Sequence, residues 1–591
     1  MERVAIAEYG FLSDCRSAAL VTRSGSVDWW CPDRFDRPSV FGRLLDPAAG
    51  HWILRPAGDA RTERAYLGDS LVLRTEHHTP EGRVAVTDAL AAAPGARGHD
   101  LGSRSPAVLL RVVEGLTGRV RMHTEFAPRP EYGLLTPYLH SQPGRVVAAA
   151  GPVNLTLRGP VPLTCERGRA GGAFEVSAGD VVGFDLAFAA SFGGPPAELD
   201  PVAAVADTIE TWESLRESHR YNGRYPDLVR RSALVLQGLL YQPSGAVAAA
   251  ATTSLPEQLG GDRNYDYRFG WLRDFSFTMN ALWVADCPEE PARLFAWAAR
   301  SAGRIGTQPV PIMYGLGGER DLSEHVLDHL RGYADSRPVR VGNEAWRQRQ
   351  FDVPGEVIAA ANLLQDRIPV FDEELCRMLI DLADQAADIW PTPDAGMWEA
   401  RDKDRHYVSS KVGCWLALDR AVRLAPRLGD GIDVRRWAQA RDDIRDTVLQ
   451  HGWSDRAGAF AGAFGSDELD ASVLLMPLVG FLPGTDERMR ATILAVEREL
   501  ATDGLVRRWV DDPAGFVLCS YWLVSCLAHT GEMDRATALF ERTCARANDL
   551  GLFAEQIDLV TGEHLGNTPQ ALSHIGLINA AWRLTDPESA V

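Results

Sequence analysis

The spacing of hydrophobic and polar positions changes once along this chain. Up to about Ser191 they alternate, or run β-branched, between Gly and Pro turns, as in GHWILRPAG, SLVLRTEHHTPEGRVAVTDAL, AVLLRVVEGLTGRVRMHTEF and VVGFDLAFAAS. A period of two marks half-buried strands, and many such runs in series predict an antiparallel β-sandwich. Gly193-Gly194-Pro195-Pro196 breaks the pattern, and PVAAVADTIETWESLRESHR then reads as a linker helix. From about Tyr225 the period is helical through about twelve runs, beginning with YPDLVRRSALVLQGLLY and ending with SHIGLINAAWRLT. Odd-numbered runs carry charge on one face, as surface helices do, while even-numbered runs are small or apolar throughout. About six outer and six inner helices in alternation describe a closed double ring, an (α/α)6 barrel. The expected division is residues 1–195 for the sandwich, 196–224 for the linker and 225–591 for the barrel.

The connections say where a site would lie. Inner-to-outer links such as ADCPEE and FLPGTDE are short. Most outer-to-inner links are long: Gln242 to Leu272, Arg304 to Gln350, Pro391 to His406 and Leu550 to Leu572. Antiparallel neighbours put all the outer-to-inner links at one end of the ring. Loops beyond about 12–15 residues are uncommon and usually functional, so that end is the expected site.

Composition narrows the ligand. The chain has 591 residues, 46% hydrophobic and 24% charged, ordinary for a globular protein. A net charge of −19 argues against nucleic acid or anionic lipid as main partner and favours a small neutral ligand. No apolar run is long enough for a bilayer, and the N-terminus lacks a secretory pattern. Nine cysteines without metal-type spacing read as reduced thiols of a cytoplasmic protein. The glycines of MYGLGGERDLSE are followed by no Lys-Ser/Thr, so no phosphate loop is present. Neither metal nor cofactor is expected. Self-association through apolar surface of the sandwich is left open.

The long links hold the candidate chemistry. In GMWEAR, Glu399 follows Trp398, and an apolar indole raises a carboxyl pKa and keeps a proton available. A surface Glu beside a packing Trp is the plainer alternative. The first link sets Tyr265, Tyr267, Phe269 and Trp271 among Arg263, Asp266, Arg268, Arg273 and Asp274. Arg273 and Asp274 suit a clamp on vicinal hydroxyls, since Arg donates and Asp accepts; a helix cap is the competing role. Glu319, Arg320, Arg340 and Asn343 either line a sugar site or brace their loop. Trp29, Trp30, Arg34, Phe35 and Asp36, and the loop from Arg129 to Tyr132, either cap a pocket or pack between domains. In the last link Glu555 sits beside Phe553 and Ala554. Two carboxylates at one barrel mouth amid aromatics are the equipment for glycoside hydrolysis.

WLRD, GMWEARDKDRHYVSSKVGCW and FAEQIDLVTGEHLGNTPQALSH resemble glycoside hydrolase family 15, which includes glucoamylases and bacterial trehalases. The start, EYGFLSDCRSAALVTRSGSVDWWCPDRFDRPSVFGRLLD, is similar to its bacterial branch, and the likeness runs from about Ile6 to Arg583. The resemblance implies a β-sandwich followed by an (α/α)6 barrel and hydrolysis with inversion. It implies Glu399 as general acid, Glu555 as general base, and Arg273 and Asp274 holding the non-reducing glucose. Tyr267, Trp271 and Trp398 would form the aromatic walls. Two departures stand out. Ala400 occupies the place of a second acid that contacts sugar on the leaving-group side in glucoamylases, and Arg401 follows, a form similar to actinobacterial trehalases. Pro354 stands where relatives usually show an aromatic. The implied activity is exo-acting release of glucose from an α-glucoside, trehalose first. Maltose, isomaltose or short dextrins are the alternative, and a phosphorylase or a non-catalytic sugar-binding protein are remoter ones. Inversion implies carboxyl groups roughly 6.5–9.5 Å apart.

Overall fold

The strand-period third builds one all-antiparallel system of fourteen strands. Its hub is the long strand Val108–Ala127. The first half pairs with Gly82–Leu90 and Val181–Ala190. The second half pairs with His51–Pro56 and Arg169–Ser177. One strand thus belongs to two layers, and exposed residues at its middle mark the crossover. The layers meet through Trp52 and Phe184, 6.4 Å between ring centroids, as the sandwich reading expects. The computed structural model describes residues 3–194, 196–216, 220–285, 290–302, 310–366 and 371–587. The link ADCPEE falls largely, and the start of the Arg304 link wholly, outside these residues.

Helix α1, Pro201–Arg216, follows the sheet. The helical part then runs α2 Pro226–Gly238, α3 Leu272–Val284, α4 Glu290–Ala302, α5 Val353–Leu363, α6 Glu373–Ile389 and α7 Val408–Leu428. It continues α8 Val434–His451, α9 Leu475–Leu478, α10 Glu487–Leu500, α11 Val517–His529, α12 Met533–Cys544 and α13 Ala571–Arg583. α3, α5, α7, α9, α11 and α13 each pack on the next, and α13 returns to α3, so the inner ring closes. α11 shows the reason: from Val517 to Ala528 every residue is buried, which only an enclosed helix tolerates. α8, by contrast, buries one stripe, Trp437, Ala440, Ile444 and Val448. Pro354 lies in the first turn of α5, where its missing N–H leaves no helix bond unmade.

The early aromatic segment packs between sheet and ring instead of capping a pocket. Trp29, Trp30 and Phe35 have no exposed surface, and the Trp29 indole N–H donates to the Ala251 carbonyl. Arg268 is the central tie. It donates to the carboxylate of Asp266, the carbonyls of Phe35 and Arg37, and the hydroxyl of Tyr132. Arg34 pairs with Asp36 and reaches Glu319 across the boundary at 2.8 Å.

Candidate active site

The inner helices all begin at one end of the ring, and there the links enclose a cavity of about 230 Å³. Tyr267, Trp271, Arg273, Asp274, Trp398, Glu399 and Glu555 all line it. Residues more than 280 positions apart meet there: the Tyr267 hydroxyl donates to Glu555 Oε1 at 3.0 Å across a separation of 288.

The loop carrying Glu399 is held from below by Asp394. Its Oδ2 accepts from the backbone N–H groups of Phe351 and Gly396 and from the Ser410 hydroxyl. Gly396 has φ +70, and a side chain there would meet the Tyr407 ring at 2.7 Å. Glu399 itself has φ +61, an uncommon left-handed backbone that such anchoring stabilises. Its Oε1 accepts from the Trp271 indole N–H at 2.7 Å and lies 3.9 Å from Arg273 Nη2. Burial pushes the Glu399 carboxyl up, with Arg273 and the Trp271 bond opposing. The adjacent Trp398 has a different task. Its indole N–H donates to Asp470 at 2.9 Å, and its ring packs on Phe516 and Trp522 as a cavity wall.

Arg273 and Asp274 open α3, with Trp271 at the cap position, so Asp274 is no N-cap. Arg273 donates to Gln350 and to Asp352 at 2.7 Å, which fixes its guanidinium in the wall. Burial pushes Asp274 up to about 7 against the pull of Arg273. The pair can donate to and accept from sugar hydroxyls.

Glu555 is 2% exposed. It precedes the strand Gln556–Asp558, which pairs with Ala514–Phe516 and fixes the backbone. Oε1 takes the Tyr267 bond, and Oε2 is buried with no partner among the described residues. Burial pushes this carboxyl well up, Glu257 adds to the rise, and Arg508 and the Tyr267 bond oppose it.

Arg508, Glu257, Trp509 and Phe516 also line the cavity, and sequence reasoning missed them. Arg508 donates to Glu257 and to Asp512, and its guanidinium lies over the rings of Trp509, Phe516 and Trp398. The signal was an Arg-Trp pair in the link at 501–516, which is as long as the 391–406 link but was not counted among the long ones. Glu319, Arg320, Arg340 and Asn343 brace their loop and lie outside the cavity lining. Arg320 donates to the Ala302 carbonyl, Arg340 to the Asp262 and Asn264 carbonyls, and Asn343 caps a short helical turn. One carboxylate, Glu324, holds both Arg340 and Arg401, and both guanidiniums flank the Tyr265 ring at the cavity edge.

Comparison with known proteins gives the family. Residues 223–582 match the family model for glycosyl hydrolases family 15, and residues 2–166 match a trehalase-like N-terminal model. A trehalase of Mycolicibacterium smegmatis is 39% identical over 97% of this chain and 90% of its own length. A trehalase of Mycobacterium tuberculosis is 38% identical over 97% and 89%. Among solved structures, a bacterial glucoamylase complexed with acarbose shares the fold, with a TM-score of 0.74 at 14% identity over 99% of this chain and 94% of that one. Two carboxyl groups in an aromatic cavity at the mouth of a helix ring, behind an antiparallel sheet, are thus features of a chain that belongs to glycosyl hydrolase family 15.

Proposed function

We propose that this glycoside hydrolase is an exo-acting trehalase that inverts the anomeric carbon it attacks. The observation that carries the reading is that Glu399 and Glu555 line one small cavity, each bonded to one of two aromatic neighbours, Trp271 and Tyr267. In this mechanism Glu399 protonates the glycosidic oxygen, and burial favours the protonated form of its carboxyl. Glu555 accepts a proton from water on the opposite face of the sugar; its Oε1 is held by Tyr267, and its Oε2 has no partner among the described residues. Arg273 and Asp274 hold hydroxyls of the glucose under attack, and Tyr267, Trp271 and Trp398 pack against its ring. The full-length trehalase relatives support trehalose as substrate. So does Ala400 beside the acid, where the resemblance implies that glucoamylases carry a second acid contacting sugar on the leaving-group side.

The neutral sugar suits an acidic protein, which would repel polyanions. We assign the protein to the cytoplasm because seven described cysteines besides Cys15 are free, four of them buried, as reduced thiols are. Among the described residues no helix is long and apolar enough to cross a membrane.

Incubation with trehalose, maltose and isomaltose, followed by NMR of the anomers, tests the reading. Hydrolysis of α,α-trehalose with inversion at one centre releases α- and β-glucose in equal amounts at first. Release of α-glucose alone would mean retention. Turnover of maltose but not trehalose would refute the substrate, and phosphate-dependent formation of a sugar phosphate would refute hydrolysis. Glu399→Gln and Glu555→Gln should each lose about 10²–10⁴-fold in kcat, the usual contribution of a general acid or base. Full activity in either removes that residue's role.

A further inference from the structure

The helix ring is not filled behind the candidate active site. A second cavity of about 180 Å³ lies further along the inner helices, and all six of them line it. Phe277 and Leu518 line both cavities, so the two stand back to back. Trp522 in the rear wall packs on Trp398 in the front wall, with ring centroids 6.0 Å apart.

The rear lining is unlike a sealed apolar core. Glu356 is 8% exposed, faces the cavity, and its carboxyl has no hydrogen-bond partner among the described residues. The Oδ1 atoms of Asn280 and Asn579, on two other helices, are buried without partners. Buried polar groups left unpaired are costly, so three converging on one space call for a ligand or ordered water. Burial pushes Glu356 up to about 8, with Asp352 adding and Arg273 opposing, so its carboxyl can donate as well as accept at neutral pH.

Charge narrows the class. Arg420, Arg423 and Arg583 line the same space and repel a cation. Arg420 and Arg423 are engaged by Asp419, and Arg583 reaches the Pro587 carbonyl. The carboxyl and amide groups left unpaired donate as well as accept, whereas an anion brings acceptors alone. A neutral molecule with several O–H donors satisfies them, and Tyr521 and Trp522 offer aromatic surface. At about 30 Å³ per water the space holds roughly six waters, the room of one hexose.

We propose that the rear cavity is a second binding site, taking a free monosaccharide, and that its occupancy is felt in front through Phe277 and Trp522. The neutral-polyol class stands on the lining alone. That the ligand is the reaction's own product, glucose, rests on the hydrolase reading.

Titration calorimetry of the Glu399→Gln protein with D-glucose, and crystals of it soaked in D-glucose, test the site. Two glucose molecules per chain are expected, one in each cavity. Asn280→Leu with Asn579→Leu, in the same background, should keep the front molecule and lose the rear one. Ala360→Leu fills the space from α5 and should do the same, which covers a double variant that fails to fold. In the active protein these changes should leave kcat unaltered and turn mixed inhibition by glucose into purely competitive inhibition. One-site titration overturns the proposal, as does water alone in the rear cavity, or rear density at soaking concentration only. Rear glucose with no front glucose and no turnover would sink the hydrolase reading and leave the rear site standing.

Discussion

Gly566→Ala isolates the placement of Glu555. A Cβ at Gly566 would lie 2.5 Å from Glu555 Oε2 and 2.8 Å from its Cβ. Relaxed contact needs about 3.5 Å, so the carboxylate has to retreat by roughly 1 Å. A displacement of that size typically costs about 10²-fold in rate. The backbone adds a separate cost, because φ is +74 and a left-handed alanine loses roughly 1–2 kcal/mol. Gly562 supplies the control. It lies in the same loop with the same φ of +74, but a Cβ there would meet only Arg546 Nη1, at 3.8 Å. Gly562→Ala therefore carries the backbone cost without the collision. Both variants should melt a few degrees low, by similar amounts. Only Gly566→Ala should lose about 10²-fold in kcat, with kcat/KM falling equally, because the base acts in the transition state. Initial rates on trehalose beside thermal melts read both quantities. Full kcat in Gly566→Ala, or an equal loss in Gly562→Ala, would refute the reasoning.

Other outcomes follow from the same contacts. On the proposed reading Glu555 is the base and must be ionised, so its pKa should set the acidic limb of kcat/KM. Glu257→Gln removes a neighbouring negative charge, which lowers that pKa and moves the limb to lower pH. Tyr267→Phe removes a donor to the ionised form, which raises the pKa and moves the limb to higher pH. Shifts of the same sign in a pH–rate series on the two variants would contradict this account. Arg268→Met leaves Asp266 as a buried, unpaired carboxylate between sheet and ring, and should cost about 3–5 kcal/mol in denaturant unfolding. A loss below about 1 kcal/mol would show that Arg268 is no tie.

Much of the site was readable because its residues lie in long links or at helix starts, where aromatics and charges are out of place unless they bind something. The reading singled out Glu399, Glu555, Arg273 and Asp274 in that way, and all four line one cavity. It gave Glu399 the wrong indole. Trp398 is its neighbour in sequence, but Trp398 donates to Asp470, and Trp271, 128 positions away, donates to Glu399. Arg508 escaped notice because its meaning lies in Glu257, 251 positions away, and in three rings that no local pattern assembles.

The sequence by itself determined which segments are strands, which helices face inward, and which end of the ring bears the long links. Those are properties of spacing: a two-residue or 3.6-residue period places side chains on one face whatever the rest of the chain does. It also told that the ring would close, since six enclosed helices alternate with six amphipathic ones. Only the tertiary structure decided which groups share a hydrogen bond or a cavity. Ring closure sets the depth and rotation of each inner helix, and these place Glu356, Asn280 and Asn579 around one space. Burial, which raises the Glu399 and Glu555 carboxyls, is a sum over neighbours from every part of the chain, and no stretch of sequence carries that sum.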